Sequence, residues 1–371
     1  MILTSDYATF YSLPPLPFRL NLRRKYPPYG LRKVEAITGA RIVPPDKLTE
    51  DEIIGVYVND PFGLTEAAKG LTKIFKREPY YVTSFKEFSF KLREMKSKII
   101  VGGPGAWELV NEDWIDHILI GEAETTLPVL LKKIKEGEKM PKVIYGEEAK
   151  KFYPIKGPSS MAEVEIMRKG RKIPLDIVKK ELELQSKYHN YVNLISEDLL
   201  SYGDEKEVID LLKLSSAYGK VIFSQISVIS ASSFNLSKLK EVLNLSERNF
   251  RSPVLSTNPG SCIFKIESEI IKELNKNFIY PMIYTDVSNV YDLMTYKTII
   301  IPLPKNDDED ISKILLDVWN HDRKIIKVPF SRVIDYILRK NYETKGEYLK
   351  KLNLSSIFSI FPLIIKAYLF P

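Results

Sequence analysis

Two short stretches carry residue types that could bind a ligand or assist a reaction. Gly102-Gly103-Pro104-Gly105 follows an apolar strand, where glycines let a backbone approach a phosphate or a cofactor, or simply make a tight turn. Ser196-Glu197-Asp198 follows another strand, where its carboxylates could bind an amine or a hydroxyl, or cap the next helix. Both alternatives stay open for both stretches. The candidate ligand pocket comprises Gly102, Gly103, Gly105, Ser196, Glu197 and Asp198.

Thiolate and imidazole ligands for a metal are scarce in this chain. It has one cysteine, Cys262, and its three histidines, His117, His189 and His321, are far apart in sequence. A thiolate metal site needs several ligands, so we expect no metal site and no disulfide within the chain. We interpret His117 as a core residue, because a metal-binding histidine usually has an orienting partner. No Ser–His–Asp set and no Walker-type phosphate loop is recognisable.

Basic residues are concentrated in two segments of a chain whose formal net charge is +7. One lies near the N-terminus and is interleaved with tyrosines; the other spans 168–172. Acidic residues, by contrast, outnumber basic ones over 101–150. Basic side chains beside aromatic ones can bind phosphates and stack on bases, so both segments are candidates for a nucleic-acid or partner surface, or for an ordinary solvated surface. The candidate residues are Arg19, Arg23, Arg24, Lys25, Arg32, Lys33, Arg168, Lys169, Arg171 and Lys172.

The elements that must position these residues alternate between strands and helices. Short apolar runs separated by helical segments indicate an α/β fold with a parallel sheet covered on both faces. We predict a doubly wound, Rossmann-like domain over 1–150, with an extended Pro- and Tyr-rich arm at its start. Alternation resumes over 160–340, which is long enough for a partial barrel. Residues 341–371 are predicted to be a helical apolar tail that docks on this chain or on a partner.

Five stretches of the sequence carry a resemblance when they are taken together. They are 26–36, which begins Tyr26-Pro27-Pro28-Tyr29-Gly30, and 101–107, 119–124, 164–168 and 196–203. Together they resemble radical S-adenosylmethionine proteins that carry an N-terminal cobalamin-binding-like domain, occur in the expected order and cover nearly the whole chain. The resemblance implies a cobalamin-binding-like Rossmann domain followed by a partial (β/α) barrel related to the TIM barrel.

The chain departs from that family at the cofactor sites. The resemblance implies a loop of three cysteines after the first barrel strand, whose thiolates hold an iron–sulfur cluster, but here 167–172 passes straight into the next helix. Pro302, Lys305 and Asn306 stand where the family has glycines and a glutamate, and 256–261 lacks the acidic residue expected near the ribose. The histidine loop that ligates cobalt is also missing. We therefore expect no iron–sulfur cluster and no tightly bound cobalamin, and these losses argue against S-adenosylmethionine as a cofactor.

These departures predict a non-catalytic pseudoenzyme that is retained as a binding module, for RNA, for a ribonucleoprotein such as the ribosome, or for an acidic protein. One alternative is a structural subunit paired with an active radical S-adenosylmethionine paralogue, which the apolar run Ile357–Phe370 favours. Another is residual binding of S-adenosylmethionine or a nucleotide at 196–198. With no export signal and no membrane-spanning stretch recognised, we expect a cytoplasmic protein, and the Lys- and Glu-rich composition is compatible with a thermophilic, archaeal-type host.

Overall fold

The computed structural model describes residues 1–11, 25–75, 78–258 and 268–304, with isolated positions between 314 and 325. This part of the chain divides into two compact units. The first unit contains 1–11, 25–69, 78–195 and 217–221, and the second contains 70–75, 196–216 and the described residues from 222 onwards. This division does not fall at residue 150, where the sequence predicts a boundary, because 151–195 belongs to the first unit.

The first unit is built on a six-stranded parallel sheet in the order β2-β1-β3-β4-β5-β6. The order reverses between β1 and β3, which is the switch point of a doubly wound sheet, so the predicted α/β fold with a Rossmann-like parallel sheet is confirmed. Its strands are β1 (Ile2–Thr4), β2 (Arg41–Ile42), β3 (Ile53–Tyr57), β4 (Lys98–Gly102), β5 (His117–Gly121) and β6 (Val143–Gly146). The helices of this part of the chain are α1 (Tyr7–Tyr11), α2 (Tyr29–Thr38), α3 (Glu66–Phe75), whose residues from 70 onwards belong to the second unit, α4 (Tyr80–Arg93) and α5 (Ala123–Lys135).

Strand β1 corrects the prediction of an extended arm at the start of the chain. Ile2 pairs in parallel with Arg41 on one side and with Ile54 on the other, so β1 lies inside the sheet. All three of its residues are buried. A three-residue apolar run is too short to show strand periodicity, and the prolines that follow it favoured an extended interpretation. Those prolines, in the stretch 13–17, lie outside the described residues.

The rest of the first unit comprises a hairpin and a small parallel sheet. Strand β7 (Glu163–Glu165) is followed by an antiparallel hairpin of β8 (Met167–Arg168) and β9 (Arg171–Lys172). Helix α6 (Leu175–Ser186) then leads to β10 (Tyr191–Ile195), which pairs in parallel with β7. Strand β11 (Lys220–Phe223) completes the order β11-β10-β7.

The second unit contains a four-stranded parallel sheet in the order β12-β13-β14-β15, in which each strand pairs with the next one along the chain. Neither small sheet closes into a barrel in the described residues. None of the described helices is long and apolar enough to cross a membrane. The strands are β12 (Gln225–Ser227), β13 (Val254–Ser256), β14 (Met282–Asp286) and β15 (Ile299–Leu303), and the helices are α7 (Glu205–Ser216), α8 (Val228–Ser233), α9 (Leu236–Val242), α10 (Ser268–Lys276) and α11 (Val290–Leu293).

Helix α2 contains part of the Tyr- and Pro-rich stretch that the sequence analysis singled out. It begins after Pro28 and ends at Gly39, whose φ of +71° is the left-handed conformation that stops a helix. Gly30 is required at its place because a Cβ there would lie 2.3 Å from the ring of Tyr57. The stretch therefore docks α2 closely against β3.

A buried polar network fixes α2 to α6. The Tyr29 hydroxyl donates to Glu181 Oε2 at 2.6 Å, and Lys33 Nζ lies 3.3 Å from Glu181 Oε1. The amide of Ile155 donates to the same Oε1 at 3.0 Å. Glu181 is only 1% exposed, and its burial raises the pKa of its carboxyl against the opposing effects of Lys33 and Tyr29. The Lys33–Glu181 ion pair fixes the position of α2 on α6. Removing one partner would leave the other charge buried without compensation.

Replacing Lys33 by methionine tests this network, since methionine keeps an unbranched side chain but removes the charge. We expect Lys33→Met to lower the free energy of unfolding by about 3–5 kcal/mol. The control is Lys180→Met, which removes an exposed lysine 3.5 Å from Asp176 and should cost about 0.5 kcal/mol or less. The measurement is urea unfolding followed by tryptophan fluorescence, to which Trp107 and Trp114 of the first unit contribute. Equal losses in both variants would contradict the structural role of Lys33.

Candidate functional site

The hairpin β8–β9 lies directly after β7, where the family resemblance implies the cysteine loop. Arg168 and Arg171 are opposite each other in the hairpin register. Lys169 and Gly170 form the turn between them with φ values of +48° and +73°, the two left-handed residues that a two-residue type I′ turn requires. This segment contains no cysteine. Its two-residue turn and its side chains do not fit the donor set of a cluster.

Arg168 is held by carboxylates of its own chain. Its Nε and Nη2 donate to the two oxygens of Glu165, both at 2.6 Å, and its Nη1 donates to Glu124 at 2.7 Å. Burial acts to lower the pKa of the Arg168 guanidinium, but Glu165 and Glu124 outweigh burial and raise it. Because the side chain is only 18% exposed, its charge is neutralised inside the protein.

Arg171 is held in the same way by Glu122, the residue that precedes α5. The Arg171 Nη2 donates to Glu122 Oε1, and its Nε lies 3.0 Å from Glu148. Glu122 Oε2 accepts the amide of Ala149 at 3.0 Å. Burial favours a higher pKa for Glu122, but the hydrogen bond from Arg171 and the charge of Arg168 lower it overall. The hairpin is thereby fastened to the N-terminal end of α5.

The N-terminal basic segment is also partly used for packing. Arg32 donates through Nε to the Pro158 carbonyl at 2.9 Å and through Nη1 to Glu35 at 2.8 Å. Lys33 is buried against Glu181. Lys25 is exposed, with its ammonium 5.2 Å from the ring centroid of Tyr26. Arg19, Arg23 and Arg24 lie outside the described residues.

The structure therefore separates the predicted basic surface into two groups. Four of its members, Arg32, Lys33, Arg168 and Arg171, are partly or fully buried in contacts with their own chain. The exposed members among the described residues are Lys25, Lys169 and Lys172. Lys169 also lies 3.6 Å from Glu122. A nucleic-acid contact in the described residues would depend on these three lysines.

The glycine stretch after β4 packs against the protein's own backbone. Gly103 has a φ of +113°, and a Cβ there would lie 2.3 Å from the Val58 carbonyl. A Cβ on Gly105 would lie 2.4 Å from the Asn59 carbonyl, whereas one on Gly102 would meet nothing closer than 3.8 Å. Of the two alternatives, the geometry matches the tight strand-to-loop turn, because the close approach is made to the loop after β3.

Asp198 caps the 3₁₀ turn Leu199–Ser201 that follows it, and capping was one of the two alternatives for this stretch. Its Oδ1 accepts the Leu200 amide at 3.1 Å and the Ser230 hydroxyl at 2.9 Å, and its Oδ2 accepts the Ser227 hydroxyl at 2.6 Å. Ser227 in turn caps α8. Asp198 is fully buried, and Ser196 and Glu197 before it are buried and half-buried. The Asp198 carboxylate is thus bonded within the second unit.

Metal-ligating residues are not grouped in the described part of the chain. No set of three or more His, Cys, Asp or Glu side chains there could hold a metal ion. His117 is buried on β5 with its Nδ1 2.9 Å from the Pro141 carbonyl, so its interpretation as a core residue is confirmed. Cys262 lies outside the described residues.

Sequence reasoning missed the acidic partners of the basic residues. Glu122, Glu124 and Glu148 come from the segment 101–150, whose acidic excess was visible in the sequence. The available signal in the sequence was the acidic excess over 101–150 together with the basic residues of 168–172. It showed opposite charges but could not show which carboxylate would meet which guanidinium.

Substitution at Gly103 tests the packing of the glycine turn. In Gly103→Ala the new methyl would meet a backbone carbonyl in a conformation that L-residues rarely adopt. The control is Gly137→Ala, at a φ of +76° with nothing within 4 Å, for which we expect a loss of about 1 kcal/mol. Gly103→Ala should lose at least about 2 kcal/mol more in urea unfolding. Equal losses would show that the turn has room for a side chain.

No protein-family model matches the chain, and no curated protein sequence matches it either.

Proposed function

We propose that the chain is a non-catalytic binding module on the scaffold of radical S-adenosylmethionine proteins with an N-terminal cobalamin-binding-like domain. The single observation that carries this proposal is the hairpin β8–β9, with its two-residue turn, at the place where the resemblance implies the cluster-binding loop. With one cysteine in 371 residues, the chain lacks the thiolates for a cluster of its own. In this proposal the fold is retained, although the cysteine thiolates that radical S-adenosylmethionine chemistry requires are missing.

The strand order supports the partial barrel in this proposal. In the order β11-β10-β7, each strand lies beside the strand that comes next along the chain when the hairpin β8–β9 is left out, and β7 and β10 are parallel. In the order β12-β13-β14-β15, each strand lies beside the next one along the chain, and all these pairs are parallel. A (β/α) barrel is wound in this way, since each parallel strand is followed by a helix and then by its neighbour. The doubly wound sheet of the first unit has a different order, with its reversal at β1 and β3.

RNA, alone or in a ribonucleoprotein, is the partner that we propose. The exposed Lys169 and Lys172 protrude on the hairpin, and Lys25 lies beside the aromatic ring of Tyr26. The buried arginines of the hairpin would not contact phosphates themselves, but their ion pairs hold the turn in one conformation. Lysines on a rigid turn can contact a phosphate backbone with little loss of conformational entropy.

Filter binding over a salt series tests this partner, with a mixed-sequence single-stranded RNA and purified ribosomal RNA as probes. We expect the double variant Lys169→Ala/Lys172→Ala to bind about tenfold more weakly, with a slope of log K against log salt shallower by about 1.4, because each lost phosphate contact removes about 0.7. The control Lys132→Ala/Lys133→Ala removes the same charge from exposed positions on α5. A salt-independent wild type, or equal losses in both variants, would contradict the proposal.

A protein partner is the second candidate, and one observation favours it. Strand β6 forms an edge of the six-stranded sheet, and its Tyr145 is 74% exposed. A sheet edge with an exposed aromatic side chain is a place where another chain can pair. The apolar run 357–370, which also favoured a complex subunit, lies outside the described residues. Light scattering of the full chain separates the candidates, since a subunit for a paralogue should associate in its presence.

A further inference from the structure

Two buried carboxylates, those of Asp60 and Glu108, lie at the carboxyl end of the six-stranded sheet, in the loops after β3 and β4. The contacts described for the hairpin β8–β9 do not involve them. Glu108 belongs to a single 3₁₀ turn, Ala106–Leu109, in the segment after β4, and is only 7% exposed. Its Oε2 accepts the amide of Phe62, in the loop after β3, at 2.7 Å. Glu108 therefore joins the loops that follow two neighbouring strands.

Asp60, in the loop after β3, faces Glu108 and is 6% exposed. Its Oδ1 accepts the amide of Leu64 at 2.9 Å. Its Oδ2 accepts the hydroxyls of Thr65 at 2.7 Å and Tyr81 at 3.0 Å. These groups all donate to Asp60, so both of its oxygens act as hydrogen-bond acceptors.

The remaining oxygen of Glu108 has no conventional donor. Its Oε1 is buried, and no group in the described residues donates a hydrogen bond to it. A buried carboxylate oxygen without a donor is costly, but a protonated oxygen can donate instead of accept. The group that faces it is the carboxylate of Asp60, which is the one charged neighbour that acts on Glu108. Burial and the hydrogen bond and charge of Asp60 raise the pKa of Glu108 to about 8.

We propose that Glu108 carries a proton and donates it in a hydrogen bond to Asp60, and that this bond is a pH-sensitive lock between the loops after β3 and β4. When Glu108 loses the proton, two buried carboxylates face each other and repel. The tight backbone packing of Gly103 and Gly105 on the loop after β3 then loses one of its supports. Among the described residues, no basic side chain contributes to the raised pKa of Glu108 or opposes it.

The lock lies at the carboxyl ends of β3 and β4, so its opening would affect the edge of the sheet where a ligand would bind. Parallel α/β sheets bind ligands at the carboxyl ends of their strands, next to the switch point. Leu64 and Trp107, which are 41% and 47% exposed, lie on the two segments that the lock joins. Opening the lock would therefore change the spacing of two exposed apolar side chains at that edge.

The direction of the pH effect follows from the protonation states. The pKa of Glu108 is raised in the folded chain from 4.5 to about 8, so the folded state holds this proton more tightly than the unfolded state does. The stabilisation from Glu108 is complete below about pH 4.5, and it is lost as the pH rises through about 8.

Hydrogen exchange measured by mass spectrometry on the full chain tests the lock. In the wild type, peptides over 58–66 and 103–110 should lose about tenfold in protection by about pH 9, one unit above the titration, after correction for the intrinsic exchange rate. Glu108→Gln keeps an acceptor and a donor but cannot ionise, so its protection should stay constant. Glu87→Gln, at an exposed position on α4, is the matched control and should follow the wild type.

A flat wild-type profile, or a Glu108→Gln profile that falls like the wild type, would overturn the proposal. Asp60→Asn provides a second test that does not depend on the glutamine variant. It removes one of the two carboxylates whose repulsion opens the lock, so the loss of protection between pH 7 and about pH 9 should disappear. A loss of protection in Asp60→Asn equal to that of the wild type would also overturn the proposal.

Discussion

A chain of buried ion pairs is the constraint on which the first unit depends. It runs from Glu124 at the start of α5 to Arg168 on the hairpin, then through Glu165 on β7 and Lys33 on α2 to Glu181 on α6. Each charge has an opposite charge beside it, so the desolvation of each is compensated only while the next member stays in place. These five elements are thereby held in one arrangement.

This constraint changes the interpretation of the basic residues. A cluster of arginines and lysines in a sequence suggests a phosphate-binding surface, but Arg168 and Arg171 face the acidic segment of the same chain. Their role is to fix the hairpin on the end of α5. The exposed basic residues of the hairpin are Lys169 in the turn and Lys172 on β9. The proposed RNA contact therefore rests on the exposed lysines and not on the arginines, which are held by their own chain.

The sequence predicted what depends on local pattern. The alternation of apolar strands and helices gave the parallel α/β architecture, and helix capping was one of the two alternatives for Asp198. The sequence did not show features that depend on contacts distant along the chain. Strand β1 is too short to be periodic and is defined by its two neighbours. The contacts of Asp198 with Ser227 and of Glu108 with Asp60 need side chains that only the folded chain brings together.

The central claim is that the chain keeps a binding scaffold after losing the ligands of a radical S-adenosylmethionine centre. The most direct measurement is anaerobic reconstitution of the full chain with iron and sulfide, followed by absorbance, iron counting and an assay for reductive cleavage of S-adenosylmethionine. A single cysteine in 371 residues predicts no stoichiometric cluster and no cleavage. A stoichiometric four-iron cluster that cleaves S-adenosylmethionine would contradict the account.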